Sequence, residues 1–244
     1  MPYAILRTAK LKTAGNIGAL NDHLQRTRLT PNADIELTRF NSQLAGSKDL
    51  AADVQARLTQ AGCTVRSNAV LAVEHLITFS PEFLDIRKDV NEEGKAILRV
   101  YPPEDLAKYQ AWRESTMEWL HERYGKENVV NVVLHLDEQT PHVHAVVVPI
   151  DERGKLNCRA YLGGREKMKQ MQTDFATKMA PLGLQRGVEG SKAEHQEVKR
   201  FYGLVKELNP QLAQDVQAQR QAAQQRIQQA ERDRSQSQKG GIGM

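Results

Sequence analysis

NVVNVVLHLDEQTPHVHAVVVPI, Asn128 to Ile150, is the stretch on which the fold turns. Two valine-rich runs, Asn128 to Leu136 and His142 to Ile150, flank the short polar segment DEQTP, which is the sequence form of a β-hairpin. Side chains alternate faces along a strand, so His142 and His144 project from one face while Val143, Ala145 and Val147 turn to the other. A turn of this length lets His135, on the partner strand, stand opposite them. Three imidazoles then close a site with coordination positions left open for water or a phosphate oxygen. Three of the chain's seven histidines fall in the ten residues from His135 to His144, beside the adjacent acids Asp137 and Glu138. Such a ligand set suits zinc, manganese, iron, nickel or copper, and spacing does not choose among them. Asp137 reads equally well as a turn-stabilising residue. Glu138 reads as a metal ligand, or as a group that takes a proton from a second catalytic residue or orients it.

Outward from the hairpin, Tyr3 to Lys10 reads as a strand. The turn AGNIG then opens a helix with Ile17, Leu20 and Leu24 on one stripe and His23 and Arg26 on another. A loop runs from Thr27 to about Thr38, and Leu50, Val54 and Leu58 trace a second helix stopped at Gly62. Ala69 to Ser80 is branched enough for a long, largely buried strand. Behind Pro102 and Pro103, Leu106, Tyr109, Trp112, Trp119 and Leu120 supply the apolar stripe of a long helix ending at Gly125, and the two tryptophans read as core. A basic loop, Glu152 to Lys167, precedes helices at about Glu166 to Met179 and Ala193 to Leu208. His75 and His121 read as structural. The sequence after Pro210 is too rich in Gln, Ala and charge to bury a core, and reads as a solvated helix fraying into a disordered tail. The chain thus divides into a catalytic domain, 1–205, and a tail, 206–244.

With 244 residues, 40% hydrophobic and 26% charged, the chain is long enough for one ordinary domain plus an appendage. A mean hydropathy of -0.58 fits the polar tail. The net charge is +4 and the pI about 9.0, which tilts towards an anionic partner. Two cysteines, Cys63 and Cys158, without ligand or redox spacing, argue against a disulfide framework and for a reducing cytoplasm. No run approaches a membrane span or a signal peptide.

At HLDEQTPHVH the sequence resembles the Mob/Pre, or MobV, plasmid mobilisation relaxases, whose third motif has the form HxDExxPHxH. The family's first motif, His-x-x-Arg, is matched by His23 to Arg26, and its second, Asn-x-x-Leu, by Asn41 to Leu44. Gly183 to His195 resembles a late segment of the family's catalytic domain, and the likeness covers about the first 205 residues. It implies an α+β fold: an antiparallel β-sheet flanked by helices, related to the HUH endonucleases. It implies site- and strand-specific nicking and rejoining of single-stranded DNA at a plasmid transfer origin.

In that reading His135, His142 and His144 hold a divalent metal, with manganese the leading choice and magnesium and zinc as alternatives. His23 is the nucleophile that becomes joined to the 5′-phosphate. Arg26 binds the same phosphate or fixes the nucleophile, and Glu138 assists. Asn41, Arg159, Arg186 and Lys192 are expected DNA contacts; His195 has no assigned role. The expected partners are single-stranded or hairpin transfer-origin DNA and the conjugation machinery of a helper plasmid, with a homodimer left open. Two other readings keep part of the pattern: a metal-dependent nuclease or phosphodiesterase with a water nucleophile, and a DNA-binding or replication-control module that does not cut.

Overall fold

Antiparallel pairing begins with the first strand, β1 (Tyr3–Leu11), which lies against β3 (Ala72–Phe79) with Ala4 opposite Phe79 and Leu11 opposite Ala72. The structure, a computed structural model, describes residues 1–28, 30–90 and 96–187. Helix α1 (Ala14–Leu24) follows β1 and is capped by the Thr13 hydroxyl, which accepts from the Asn16 amide. A short edge strand, β2 (Ser42–Ala45), leads to α2 (Leu50–Gln60), capped by Asp49. After β3 come a separate two-stranded sheet, β4 (Arg87–Val90) and β5 (Ala96–Val100), and the long helix α3 (Pro103–Tyr124). The hairpin is β6 (Val129–His135) and β7 (His142–Val147). Helices α4 (Cys158–Leu162) and α5 (Gly164–Met179) and a two-residue strand, β8 (Gln185–Arg186), complete the described chain.

The main sheet has the order β2-β6-β7-β3-β1-β8. It is antiparallel as expected except where β8 joins β1 in parallel, so the sheet is mixed. The separate β4–β5 pair was not expected from sequence. Strand β7 ends earlier than the apolar run suggested. Pro149 has no N–H to give a ladder, and Ile150 instead bridges to Leu156. In α3 the buried face runs through Tyr109, Trp112, Thr116, Trp119 and Leu120, whereas Leu106 is 41% exposed. Asp105 takes the inward place at that end, its carboxylate accepting from the Asp85 amide and the Lys108 ammonium.

The sheet separates two cores. One face carries Ile77, Phe79, Val143, Ala145 and Val147 against the aromatic side chains of α3 and α5, with Trp112 and Trp119 buried as expected. The other carries Val133, Val146 and Val148 against Ile17, Leu20 and Leu24 of α1 and Leu50, Val54 and Leu58 of α2. Strand alternation therefore puts His135, His142 and His144 on the α1–α2 face, at the end of the sheet where the hairpin turns.

Met1–Arg28 and Asn32–Ser191 form one compact unit; Leu29–Pro31 group with Lys192–Met244, a second unit of which Thr30 and Pro31 are described. Lys192, His195, the helix expected at 193–208, the tail and the expected boundary at 205/206 lie outside the described residues.

His75 faces the aromatic core, fully buried beside Trp119 and Tyr124, with Nδ1 3.0 Å from the Thr8 hydroxyl. Burial, helped by the Arg123 charge, pushes it down to about 3. The unfolded chain, with an ordinary histidine near 6.5, takes up a proton that the native state refuses. Stability contributed here is complete above about pH 6.5 and is lost as pH falls towards 3, at about 1.4 kcal/mol per unit. A His75→Phe variant should therefore lose about 2 kcal/mol less than the parent between pH 7 and 5 in urea unfolding; equal losses would show that His75 is not a source of acid sensitivity.

Candidate functional site

Four imidazoles converge where α1 ends over the hairpin. His135 and His142 are direct cross-strand partners, and His144 lies two residues along the same face of β7. Ring centroids are separated by 5.2 Å for His135–His142, 5.0 Å for His135–His144 and 5.1 Å for His142–His144. His23, in the last turn of α1, brings its ring to 4.9 Å from His144 and 5.6 Å from His135.

Hydrogen-bond partners fix which nitrogen of each ring is spoken for. The Leu24 carbonyl lies 3.0 Å from His135 Nε2, and the Thr140 carbonyl lies 3.0 Å from His142 Nδ1. A carbonyl only accepts, so each of these nitrogens carries the proton. The remaining nitrogens, His135 Nδ1 and His142 Nε2, then face each other as lone pairs 3.3 Å apart. His144 Nδ1 is 2.7 Å from Glu74 Oε1, and His144 Nε2 is buried without a hydrogen-bond partner among the described residues. Opposed lone pairs beside an unpartnered buried nitrogen repel one another, and a cation among them relieves that cost. Two groups, His23 with His135 and His144, and His135 with Glu138 and His142, each bring ligand atoms within 4.8 Å of one another.

Burial also sets the charge of these rings. His135 and His144 are held well below the ordinary histidine value, first by desolvation, then by His144 and Arg26 in the case of His135 and by His142 and Arg26 in the case of His144. His23 is pushed down to about 2 by desolvation, with His144, Arg26 and Arg28 adding to the effect. Its imidazole is neutral at physiological pH and has a lone pair to offer without a base to free it. Glu74 is raised by its own desolvation to about 7.

Arg26 does not share the α1 helix with His23. The helix ends at Leu24, and Arg26 takes a left-handed backbone with φ of 55°. That turn drives its guanidinium inward, where Nε and Nη2 make a two-point bridge to Asp137 at 2.9 and 2.6 Å and Nη2 also reaches Glu138 Oε1 at 2.8 Å. Nη1 lies 3.5 Å from His23 Nδ1 and 3.4 Å from the His23 carbonyl. Asp137 gathers more of the same loop: the Thr38 hydroxyl and the Asn41 amide donate to its carboxylate, and its carbonyl accepts from the Asp34 amide. Glu138 also accepts from the Asn32 side chain and stands 3.7 Å from His142 Nε2.

The remaining expected contacts divide. Asn41 turns inward, donating to Asp137 and accepting from the Leu136 amide at 2.7 Å, so it clamps the hairpin rather than facing a ligand. Arg159 is exposed on α4, whose neighbour Leu162 packs in the α3–α5 core beyond the far end of β7. The structure does not bring it to the histidines. Arg186 pairs with Ala4 at the histidine end of the sheet, three strand spacings from β7, or about 14 Å. Glu74 was missed by sequence reasoning; its signal is a lone acid in the apolar run AVLAVEHLITFS, at a position that alternation places on the histidine face.

A profile of the plasmid recombination enzyme family, Mob/Pre, matches residues 1–99 and 103–203. A "65 kDa protein" of Zymomonas mobilis subsp. mobilis is 39% identical over 206 residues, 82% of this chain and 32% of that protein. A plasmid recombination enzyme of Streptococcus agalactiae is 30% identical over 213 residues, 82% of this chain and 39% of the relative. The chain thus spans a third or somewhat more of the length of these curated relatives. Among solved structures, a manganese-bound MobM relaxase domain with plasmid pMV158 oriT DNA superimposes with a TM-score of 0.64 at 27% identity, covering 82% of this chain and 98% of that one.

Proposed function

The chain belongs to the plasmid recombination enzyme family, and from that premise we propose that it is a relaxase that nicks and rejoins plasmid transfer-origin DNA, one strand at one site, through a covalent histidine–DNA intermediate. The observation that carries the proposal is the facing pair of lone pairs on His135 and His142 at 3.3 Å, with the unpartnered His144 Nε2 and the neutral His23 beside them. The MobM domain, whose structures hold manganese and oriT DNA, is 27% identical and supports both the metal and the substrate class.

In this reading His135, His142 and His144 hold a divalent ion, which when bound supplies positive charge to the non-bridging oxygens of the scissile phosphate. Three nitrogen donors favour a transition ion over magnesium. Manganese is the choice the MobM structures support. His23 attacks phosphorus with its ring lone pair. A P–N bond forms, the P–O3′ bond breaks, and the departing oxygen keeps the electron pair and takes a proton from solvent to become a 3′-hydroxyl. Attack by that hydroxyl on the same phosphorus reverses the step and reseals the strand.

Of the two roles open to Arg26, fixing the nucleophile is the one its contacts support, because its guanidinium is committed to Asp137 and Glu138 while touching His23. Glu138, on the rim of the metal set, ties Arg26 and Asn32 to the hairpin. The partner is single-stranded or hairpin origin DNA, with a helper plasmid's conjugation machinery as the wider assembly and the cytoplasm as its place. Among the described residues no helix is long and apolar enough to cross a membrane.

The test is incubation with labelled single-stranded origin DNA, with manganese or with chelator, followed by denaturing electrophoresis. A metal-dependent shifted band that survives denaturation is expected. Cleavage without an adduct would replace the proposal with a nuclease that uses water, and binding without cleavage would replace it with a DNA-binding module.

A further inference from the structure

His144 differs from the other two hairpin histidines in what holds it. His135 and His142 each give their one ring N–H to a neutral backbone carbonyl, belonging to Leu24 and Thr140. His144 is held by a carboxylate from another strand, Glu74 Oε1, at 2.7 Å. The register explains the contact: β3 pairs with β7 so that Leu76 stands opposite His144 and Glu74 opposite Val146, which puts the Glu74 and His144 side chains on one face, diagonally adjacent. On the face of the strand that carries Glu74 its neighbours are apolar, Ala72, fully buried, and Leu76. A carboxylate there has lost most of its water, its side chain being 17% exposed, and has gained in exchange the hydrogen bond with His144 Nδ1. Fold stability alone does not call for an acid at this place, since an apolar residue would extend the neighbouring core without that desolvation cost.

We infer that Glu74 is a positioning residue for the metal site: by accepting the His144 Nδ1 proton it fixes the ring's tautomer and rotation so that Nε2 presents its lone pair to the ion. The inference rests on the reading of His144 as a metal ligand. A carboxylate behind a ligating imidazole also makes that imidazole a stronger donor, because the positive charge the ring acquires on binding a cation is met by a negative one. Glu74 brings this effect to one corner of the three-histidine set, while the two corners on neutral carbonyls lack it. His144 Nε2, buried and without a partner among the described residues, is the atom this arrangement leaves facing the site.

The experiment titrates the full chain with manganese chloride alone, without DNA, by calorimetry or by the electron paramagnetic resonance of free manganese, and follows urea unfolding in chelator alongside. Glu74→Ala should weaken manganese binding about 10- to 100-fold, with its unfolding midpoint in chelator retained. Glu74→Gln keeps an oxygen that accepts from Nδ1 and loses the charge, so its affinity should fall between those of the alanine variant and the parent. A structural role alone would move the unfolding midpoint and not produce this graded order. Nitrogen NMR of the metal-free protein should show His144 protonated at Nδ1 in the parent and Glu74→Gln, and a mixture of tautomers in Glu74→Ala. Manganese affinity within twofold of the parent in the alanine variant overturns the inference; if that variant does not fold, unchanged affinity in Glu74→Gln overturns it. His142→Ala, run in parallel, separates the two levels of the reading. Loss of manganese binding in His142→Ala with none in the Glu74 variants sinks the role of Glu74 alone. Unchanged binding in all of them sinks the metal site itself.

Discussion

Replacing His23 by alanine is expected to abolish the covalent protein–DNA product, a loss of at least about 1,000-fold in adduct yield, since removal of a nucleophile leaves only what binding and electrostatics supply. Manganese affinity should stay within a few-fold of the parent, because the opposed lone pairs belong to His135 and His142 and the third nitrogen to His144. The decisive comparison is denaturing electrophoresis of both proteins on the same labelled strand, together with the chemistry of the bond. A P–N linkage is lost on mild acid treatment and survives alkali, whereas a tyrosine ester withstands the acid. An adduct that persists in His23→Ala, or one that resists acid in the parent, removes His23 from the role. The neutral state of the His23 ring, enforced by burial and by the neighbouring cations, means that the nucleophile is ready across physiological pH. Between pH 6 and 9 the nicking rate should therefore show no rise attributable to deprotonation of this histidine.

Asp137→Ala should cost about 3–5 kcal/mol of stability, because it removes the two-point partner of a buried guanidinium and leaves it Glu138 as its carboxylate. The pair has side chains only 5% and 0% exposed and is joined by two parallel hydrogen bonds. Burial alone would raise the Asp137 carboxyl; the hydrogen bonds and charge of Arg26, with hydrogen bonds from Asn41 and Thr38, outweigh it and hold the group below the usual carboxylate range. Its contribution is thus present above the unfolded carboxylate value, near 3.9, and disappears as pH falls through the lower native one. At this chain length the loss corresponds to a fall in Tm of roughly 10 °C. The Arg26→Met, Asp137→Leu double variant should recover much of it, since an apolar pair carries no stranded charge, yet it should still nick poorly because nothing then holds His23. A loss below about 1 kcal/mol in Asp137→Ala would show that the loop from Arg26 to Asn41 is anchored by other means.

Both effects come from one small region, and the two halves of that region were unequally legible. The three hairpin histidines could be placed on a single face from HLDEQTPHVH because a strand has a period of two, and the pairing of His135 with His142 follows from the turn between them. Arg26 was read as one helical turn beyond His23, and that is where periodicity failed. The α1 helix stops at Leu24, and a left-handed residue sends the arginine under the hairpin instead of along the helix surface. Asn41 shows the same limit. A polar residue at an edge strand looks like a surface contact until the hairpin is laid over it and takes both ends of its amide. Glu74 was passed over because an acid in an apolar run gives no hint of its partner.

The sequence by itself determined the local matters: the hairpin, which face its histidines share, and that the tryptophans of α3 are core. Periodicity acts over a few residues, and the chain records it directly. The tertiary structure alone decided the tautomers of His135 and His142, the carboxyl group behind His144 from 70 residues away, and the bridge between Arg26 and Asp137 across 111 residues. These depend on strand order and on the packing of a loop against a turn. A buried polar group must find its partner wherever the finished fold places one, so the partner's position in the chain carries no periodic signal.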